Sequence, residues 1–94
     1  MRLKDKIAIV TGAGRNIGEE TAKLFVAEGA KVAVVDMDEV NGKAVTDALN
    51  AANAGVAIYI NANVADEESV KRMIAETVAA FGRIDILVNN VAIS

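Results

Sequence analysis

Ninety-four residues with a net charge of −3 and a composition 53% hydrophobic and 24% charged fit one globular domain, in which folding hides roughly 60–65% of the unfolded chain's surface. Cysteine and histidine are both absent, which excludes thiol chemistry, disulfides, the common zinc sites and a Ser-His-Asp triad. No basic cluster, no apolar run near the ~20 residues of a membrane span and no signal peptide precede or interrupt the pattern, so a cytoplasmic domain binding neither nucleic acid nor membrane is expected.

Short apolar runs alternate with longer stretches of helical period. The chain opens on Ile7-Ala8-Ile9-Val10, apolar on both faces as a covered parallel strand must be. A helix is predicted from about Ile17 to Glu28, with Gly18, Ala22 and Phe25 on one stripe and Gly29 as its stop. The second strand is Val32 to Val35. The second helix spans about Glu39 to Ala52, and the spacing of Val40, Ala44, Ala48 and Leu49 predicts its buried face. Val56 to Ile60 form the third strand. The third helix runs from Glu67 to Phe81, capped by Asp66, ended by Gly82, with Val70, Ile74, Thr77, Val78 and Phe81 at helical spacing. The run Ile84 through Val88 closes the series, with Asp85 near its start. The result is one β-α-β-α-β-α-β domain over residues 1–94, α/β in class, with a parallel sheet of expected order 3-2-1-4.

The chemistry concentrates between the first strand and the first helix. Gly12, Gly14 and Gly18 read G-x-G-x-x-x-G, one residue longer than the commoner dinucleotide fingerprint. Such a turn lets backbone N–H groups and a helix N-terminus approach a pyrophosphate, although a tight turn without a ligand uses the same glycines. Asp36 ends the second strand where an acidic residue would hydrogen-bond the adenosine ribose. The same carboxylate repels a 2′-phosphate and so favours NAD over NADP. Its plainer role is a strand terminus or, with Asp38, a helix cap.

These residues, taken together, resemble the short-chain dehydrogenases/reductases. Lys4 through Gly12 is similar to the family's opening, Thr11 through Gly18 to its TGxxxGxG loop, and Ala27-Glu28-Gly29-Ala30 to the end of its first helix. Asn63-Val64 falls where the family has Asp-Val beside the adenine, and Ile84 through Asn90 resembles its fourth strand and NNAG motif. The resemblance implies a Rossmann-like fold and a cofactor site: Thr11, Gly12, Gly14, Arg15, Asn16, Ile17 and Gly18 around the phosphates, Asp36 and Met37 at the ribose and adenine, and Asn63, Val64, Asn89, Asn90, Val91 and Ala92 along the other wall. Asn16 replaces a motif glycine, which asparagine can follow into a left-handed backbone. Glu20 adds negative charge near the phosphates, and Val91-Ala92 replaces Ala-Gly. Arg15 accompanies NADP use in the family, or is a solvated loop charge.

The family's catalytic serine and Tyr-x-x-x-Lys pair have no counterpart in these 94 residues. Tyr59 lies inside the third strand and is followed four residues later by Asn63, while Ser69 opens a helix and Ser94 is terminal. The expectation is therefore the NAD(H)-binding front part of an oxidoreductase acting on an alcohol or carbonyl group, inactive by itself. The alternative is a self-associating half-fold without cofactor. In either case the apolar fourth strand is an edge expected to pair with a second copy.

Overall fold

A computed structural model describes residues 1–90. Strands β1 (Ile7–Thr11), β2 (Lys31–Val35), β3 (Ala57–Ile60) and β4 (Ile86–Asn89) alternate with helices α1 (Asn16–Ala27), α2 (Glu39–Ala52) and α3 (Glu67–Phe81). The strands form one parallel sheet of order β3-β2-β1-β4, as the sequence predicts. β1 is central: Ile7 to Thr11 pair with Lys31 to Val35, and Ala8 to Thr11 pair with Ile86 to Asn89 on the other side. The C-terminal ends of β1, β2 and β4 thus stop in register, and the turns that follow them share one rim.

Alternation along the strands divides the core into two layers. Ala8, Val10, Val32 and Val34 face α1 and α2, packing with Ala22, Val45 and Leu49. Ile9, Ala33, Val35 and Ile60 face the other way, onto Met73 of α3. Two threonines enter these layers with their hydroxyls satisfied: Thr46 donates to the Gly42 carbonyl and Thr77 to the Met73 carbonyl.

The helix boundaries match the expected ones within a residue, but the buried faces differ. α2 buries Gly42, Val45, Thr46 and Leu49, while Val40, Ala44 and Ala48 are exposed. The reason lies on β3. The Tyr59 ring sits against Gly42 so closely that a Cβ there would collide with Cε1, and this contact rotates the helix away from the Val40 stripe. α3 likewise buries Met73 and Thr77, leaving Ile74 and Val78 substantially exposed.

β4 begins two residues later than the apolar run does. Asp85 stands just outside it as an anchor: its N–H donates to the Ile7 carbonyl, and its Oδ2 accepts from Ile7 N at 2.8 Å and from Arg83 Nε at 3.0 Å. The Ile7 N–H holds the Asp85 carboxyl below its ordinary range, with Arg83 reinforcing the effect. No helix among the described residues is long and apolar enough to cross a membrane.

Candidate functional site

The rim at the C-terminal ends of the strands is built first by glycines. Gly12 turns the chain after β1 with φ +63°, and Asn16 also takes a left-handed backbone, φ +55°, the conformation asparagine tolerates better than most residues. Gly18 lets α1 start directly against that turn, since a Cβ there would run into the Gly12 carbonyl. Gly14 is buried beneath the loop, where a Cβ would stand 2.8 Å from Asp36 Oδ2 and 3.1 Å from Gly42 N. Each of these positions demands either a missing side chain or an unusual backbone.

What the loop presents is a row of donors. α1 has Arg15 at its N-cap in extended conformation, with no side-chain cap. The N–H groups of Asn16, Ile17 and Gly18 meet no acceptor among the described residues. These are the groups a helix start leaves unsatisfied, and they carry the positive end of the helix dipole. Arg15 is exposed beside them and makes no ion pair among the described residues.

A cleft of about 410 Å³ opens over this loop, lined by Gly12, Arg15, Asn16, Ile17, Gly18, Asp36 and Asn90. A second, narrower cleft of about 130 Å³ lies between the ends of β2 and β3, lined by Thr11, Val35, Asp36, Met37, Asn63 and Val64 among others. Gly12 and Asp36 border both. The first is polar and rich in N–H donors. The second has apolar walls from Val35, Met37 and Val64.

Asp36 stands between them, partly buried. Its Oδ2 accepts from Gly14 N at 2.9 Å and its Oδ1 from Asp38 N at 2.8 Å. Asp38, not Asp36, caps α2, accepting from Asn41 N at 3.0 Å. Both plainer roles suggested for Asp36 are thus divided: it ends the strand, and its neighbour does the capping. Tyr59 is packing, and more: its hydroxyl donates to the Asp36 carbonyl at 2.7 Å, and burial pushes the phenol pKa up.

The far wall is organised by Thr11, whose hydroxyl bridges β1 and β4. Thr11 Oγ1 lies 2.8 Å from Asn89 Oδ1, to which it donates, and accepts from Asn90 N at 3.1 Å. Asn63 is exposed, and its side chain is turned into its own loop: Oδ1 accepts from Ala65 N, while its N–H donates to Ser69 Oγ. Ser69 therefore ties the loop after β3 to α3, where Asp66 accepts from its N–H. Asn89 borders a third cleft with Thr11, Val64 and Leu87. Val91 and Ala92 lie outside the described residues.

The structure therefore gathers the expected residues from Thr11 to Gly18 with Asp36, Met37, Asn63, Val64, Asn89 and Asn90 on one rim. Sequence reasoning missed Gly42, Tyr59 and Ser69 as supports. A glycine inside a helical pattern signals close approach, so Gly42 offered a hint. Nothing in the sequence pointed to Ser69.

Comparison with known proteins fits this geometry. The chain is 41% identical over 93 residues to secoisolariciresinol dehydrogenase from Forsythia intermedia, covering 99% of this chain and 32% of that protein. It is 47% identical over 91 residues to 2,5-dichloro-2,5-cyclohexadiene-1,4-diol dehydrogenase from Sphingobium indicum, covering 97% and 35%. The crystal structure of hydroxysteroid dehydrogenase from Escherichia coli superposes with a TM-score of 0.90 at 34% identity, covering 97% of this chain and 38% of that one. The chain thus spans about a third of the length of the curated relatives it matches. Residues 6–94 match the family described as short chain dehydrogenase, and the chain belongs to that family.

Proposed function

We propose that this chain is the NAD(H)-binding portion of an oxidoreductase acting on an alcohol or carbonyl group. The family uses nicotinamide dinucleotides. The observation that carries the reading is the position of Asp36, which borders both the donor-rich cleft at α1 and the apolar cleft at Met37 and Val64. A pyrophosphate in the first and an adenine in the second would place a ribose at this carboxylate. The loop fits the group through its donors, since the N–H groups of Asn16, Ile17 and Gly18 meet no acceptor among the described residues and border the cleft, while Gly14 and Gly18 let the loop pack tightly on Asp36 and Gly12. A bound nicotinamide would supply the hydride acceptor or donor. This chain's residues would hold the phosphates on N–H groups and orient the ribose.

NAD is the preferred form in this reading, because a ribose hydroxyl donates to a carboxylate whereas a 2′-phosphate brings like charge to it. Arg15 is the counterweight, exposed at the mouth of the phosphate cleft. A cytoplasmic location belongs to the same proposal and suits the cysteine-free composition. Calorimetry with NAD and NADP on the 94-residue chain tests it: NAD should bind weakly and still better than NADP. Tighter binding of NADP overturns the preference. Since the 94 residues contain no Tyr-x-x-x-Lys pair, they should show no turnover of alcohols or ketones when NADH absorbance is followed. Cofactor-dependent turnover by the homogeneous chain would overturn that part.

A second reading, association of copies through β4, is favoured by one observation. Leu87 in the middle of the strand is 60% exposed, and among the described residues β4 pairs only with β1. Two copies joined β4 to β4, antiparallel, would continue the sheet through a twofold axis, which closes without further growth. This module reading needs no cofactor. Sedimentation at several concentrations, repeated with Leu87→Lys, tests it: a wild-type monomer at high concentration ends it, and a variant dimer of equal tightness moves the interface elsewhere.

A further inference from the structure

Asp36 is held by the protein through its carboxylate and its main chain alike. Its carboxylate oxygens accept from Gly14 N at 2.9 Å and from Asp38 N at 2.8 Å. Its main chain is fixed as well, with its N–H on the Ile60 carbonyl at 3.3 Å and its own carbonyl under the Tyr59 hydroxyl at 2.7 Å. Gly14 can come this close only because it lacks a side chain, and Gly42, which lies behind it, is itself pressed by the Tyr59 ring. The loop after β1 and the start of α2 therefore converge on the Asp36 carboxylate, while β3 holds the main chain of the same residue.

We propose that Asp36 is a positioning residue for the phosphate loop as well as the ribose acceptor. By holding the Gly14 N–H it fixes the turn from which Asn16, Ile17 and Gly18 present their amides, so ribose recognition and the anion cradle form one unit. The inference rests on the dinucleotide reading given above. A carboxylate has about four lone-pair positions. Two are used by the protein, which leaves two for the ribose 2′- and 3′-hydroxyls without disturbing the loop. Exchanging Asp36 to admit a 2′-phosphate has a consequence beyond charge: the buried Gly14 loses its acceptor, and a buried unpaired N–H is unfavourable.

The two roles of Asp36 make opposite forecasts for a ligand without any ribose. If the carboxylate only repels or only binds ribose, removing its charge beside an anion site strengthens the binding of inorganic pyrophosphate. If it holds the loop, removing it weakens that binding. Backbone amide spectra of the 94-residue chain can follow pyrophosphate titration and hydrogen exchange together, in wild type, Asp36→Ala and Asp36→Asn. The expected result is a Gly14 amide exchanging at least tenfold faster in ligand-free Asp36→Ala. Pyrophosphate should bind the same variant at least threefold more weakly, with Asp36→Asn in between because its carbonyl keeps one acceptor. Gly14→Ala, which displaces the carboxylate from the other side, should reproduce the loss. Should Asp36→Ala not fold, Asp36→Asn carries both readouts.

Unchanged Gly14 exchange in the variants overturns the positioning role, as does pyrophosphate binding that is equal or tighter. Failure of the wild-type chain to bind pyrophosphate overturns the dinucleotide reading instead, and the exchange data still decide whether Asp36 holds the loop.

Discussion

α2 and α3 each begin on an aspartate whose carboxylate accepts a backbone N–H three residues on, Asp38 from Asn41 and Asp66 from Ser69, both at 3.0 Å. α1 begins on Arg15, whose side chain caps nothing. An N-cap of this kind contributes about 1 kcal/mol, and a domain of this size has little stability to spare. The same chain thus uses the device at two helix starts and forgoes it at the third, where the cleft lies. The difference teaches that unsatisfied donors at α1 are kept by design of the loop: Gly12, Asn16 and Gly18 bring the helix start close to β1 with no side chain to cover it. Closed starts hold the fold, and the open one leaves its donors facing the cleft, where the proposed phosphates would sit.

The largest expected effect comes from breaking the open start sterically. In Gly18→Ala the new methyl meets the Gly12 carbonyl, backbone against backbone, so relief requires the loop or α1 to move. We expect a loss of about 2–3 kcal/mol in chemical denaturation, together with loss of NAD binding. An unchanged midpoint would show that the turn accommodates a side chain.

Closing the start chemically should separate stability from binding. Arg15 already has the extended backbone of a cap, so Arg15→Asp should raise stability by up to about 1 kcal/mol. It also puts a carboxylate over the cleft at α1, and affinity for NAD should drop at least tenfold, or about 1.4 kcal/mol, if the phosphates sit there as proposed. If stability rises and affinity holds, the phosphates do not sit at α1. The reciprocal change, Asp66→Ala, opens a closed start. It should cost about 1 kcal/mol and lower NAD affinity far less than Arg15→Asp does, since Asp66 borders neither cleft and reaches the second only through Ser69 and Asn63.

The smallest effect extends the comparison from helices to a strand. Asp85 serves β4 as Asp38 and Asp66 serve their helices, accepting the Ile7 N–H. Its carboxyl is held below the ordinary range, so the native state favours the ionised form. The resulting stability is present above the unfolded-state pKa and lost as pH falls through the lower, folded-state value. Melting temperatures followed from neutral pH into the acid range should decline more steeply for wild type than for Asp85→Asn. Parallel curves would remove Asp85 from the account of acid lability.

Much of this arrangement was legible from the residues. The alternation of β-branched runs with helical stretches fixed element order, and the glycine spacing with Asp36 located the rim. α3's limits follow directly from Asp66 and Gly82, whose left-handed φ of +89° matches its stop position. The rotation of α2 was not legible, because hydrophobicity points to Val40, Ala44 and Ala48, whereas the deciding contact is a glycine under a tyrosine of the next strand. A similar displacement in α3 follows from Met73 filling the patch left by Ile9, Ala33 and Val35. Hydrogen bonds such as Gly14 to Asp36 depend on the register of β1 against β2, which no spacing within either segment encodes.

Tyr59 has one further consequence. It is the only tyrosine, and tryptophan is absent, so near-ultraviolet emission from this protein arises essentially from a single ring. That ring is one hydrogen bond from Asp36 and presses on α2, the helix that follows it. The chain therefore carries an unlabelled optical gauge beside the cleft. Its brightness should register whatever settles against Asp36 and Met37, and because the hydroxyl is bound to main chain, the ring reports without being asked to move.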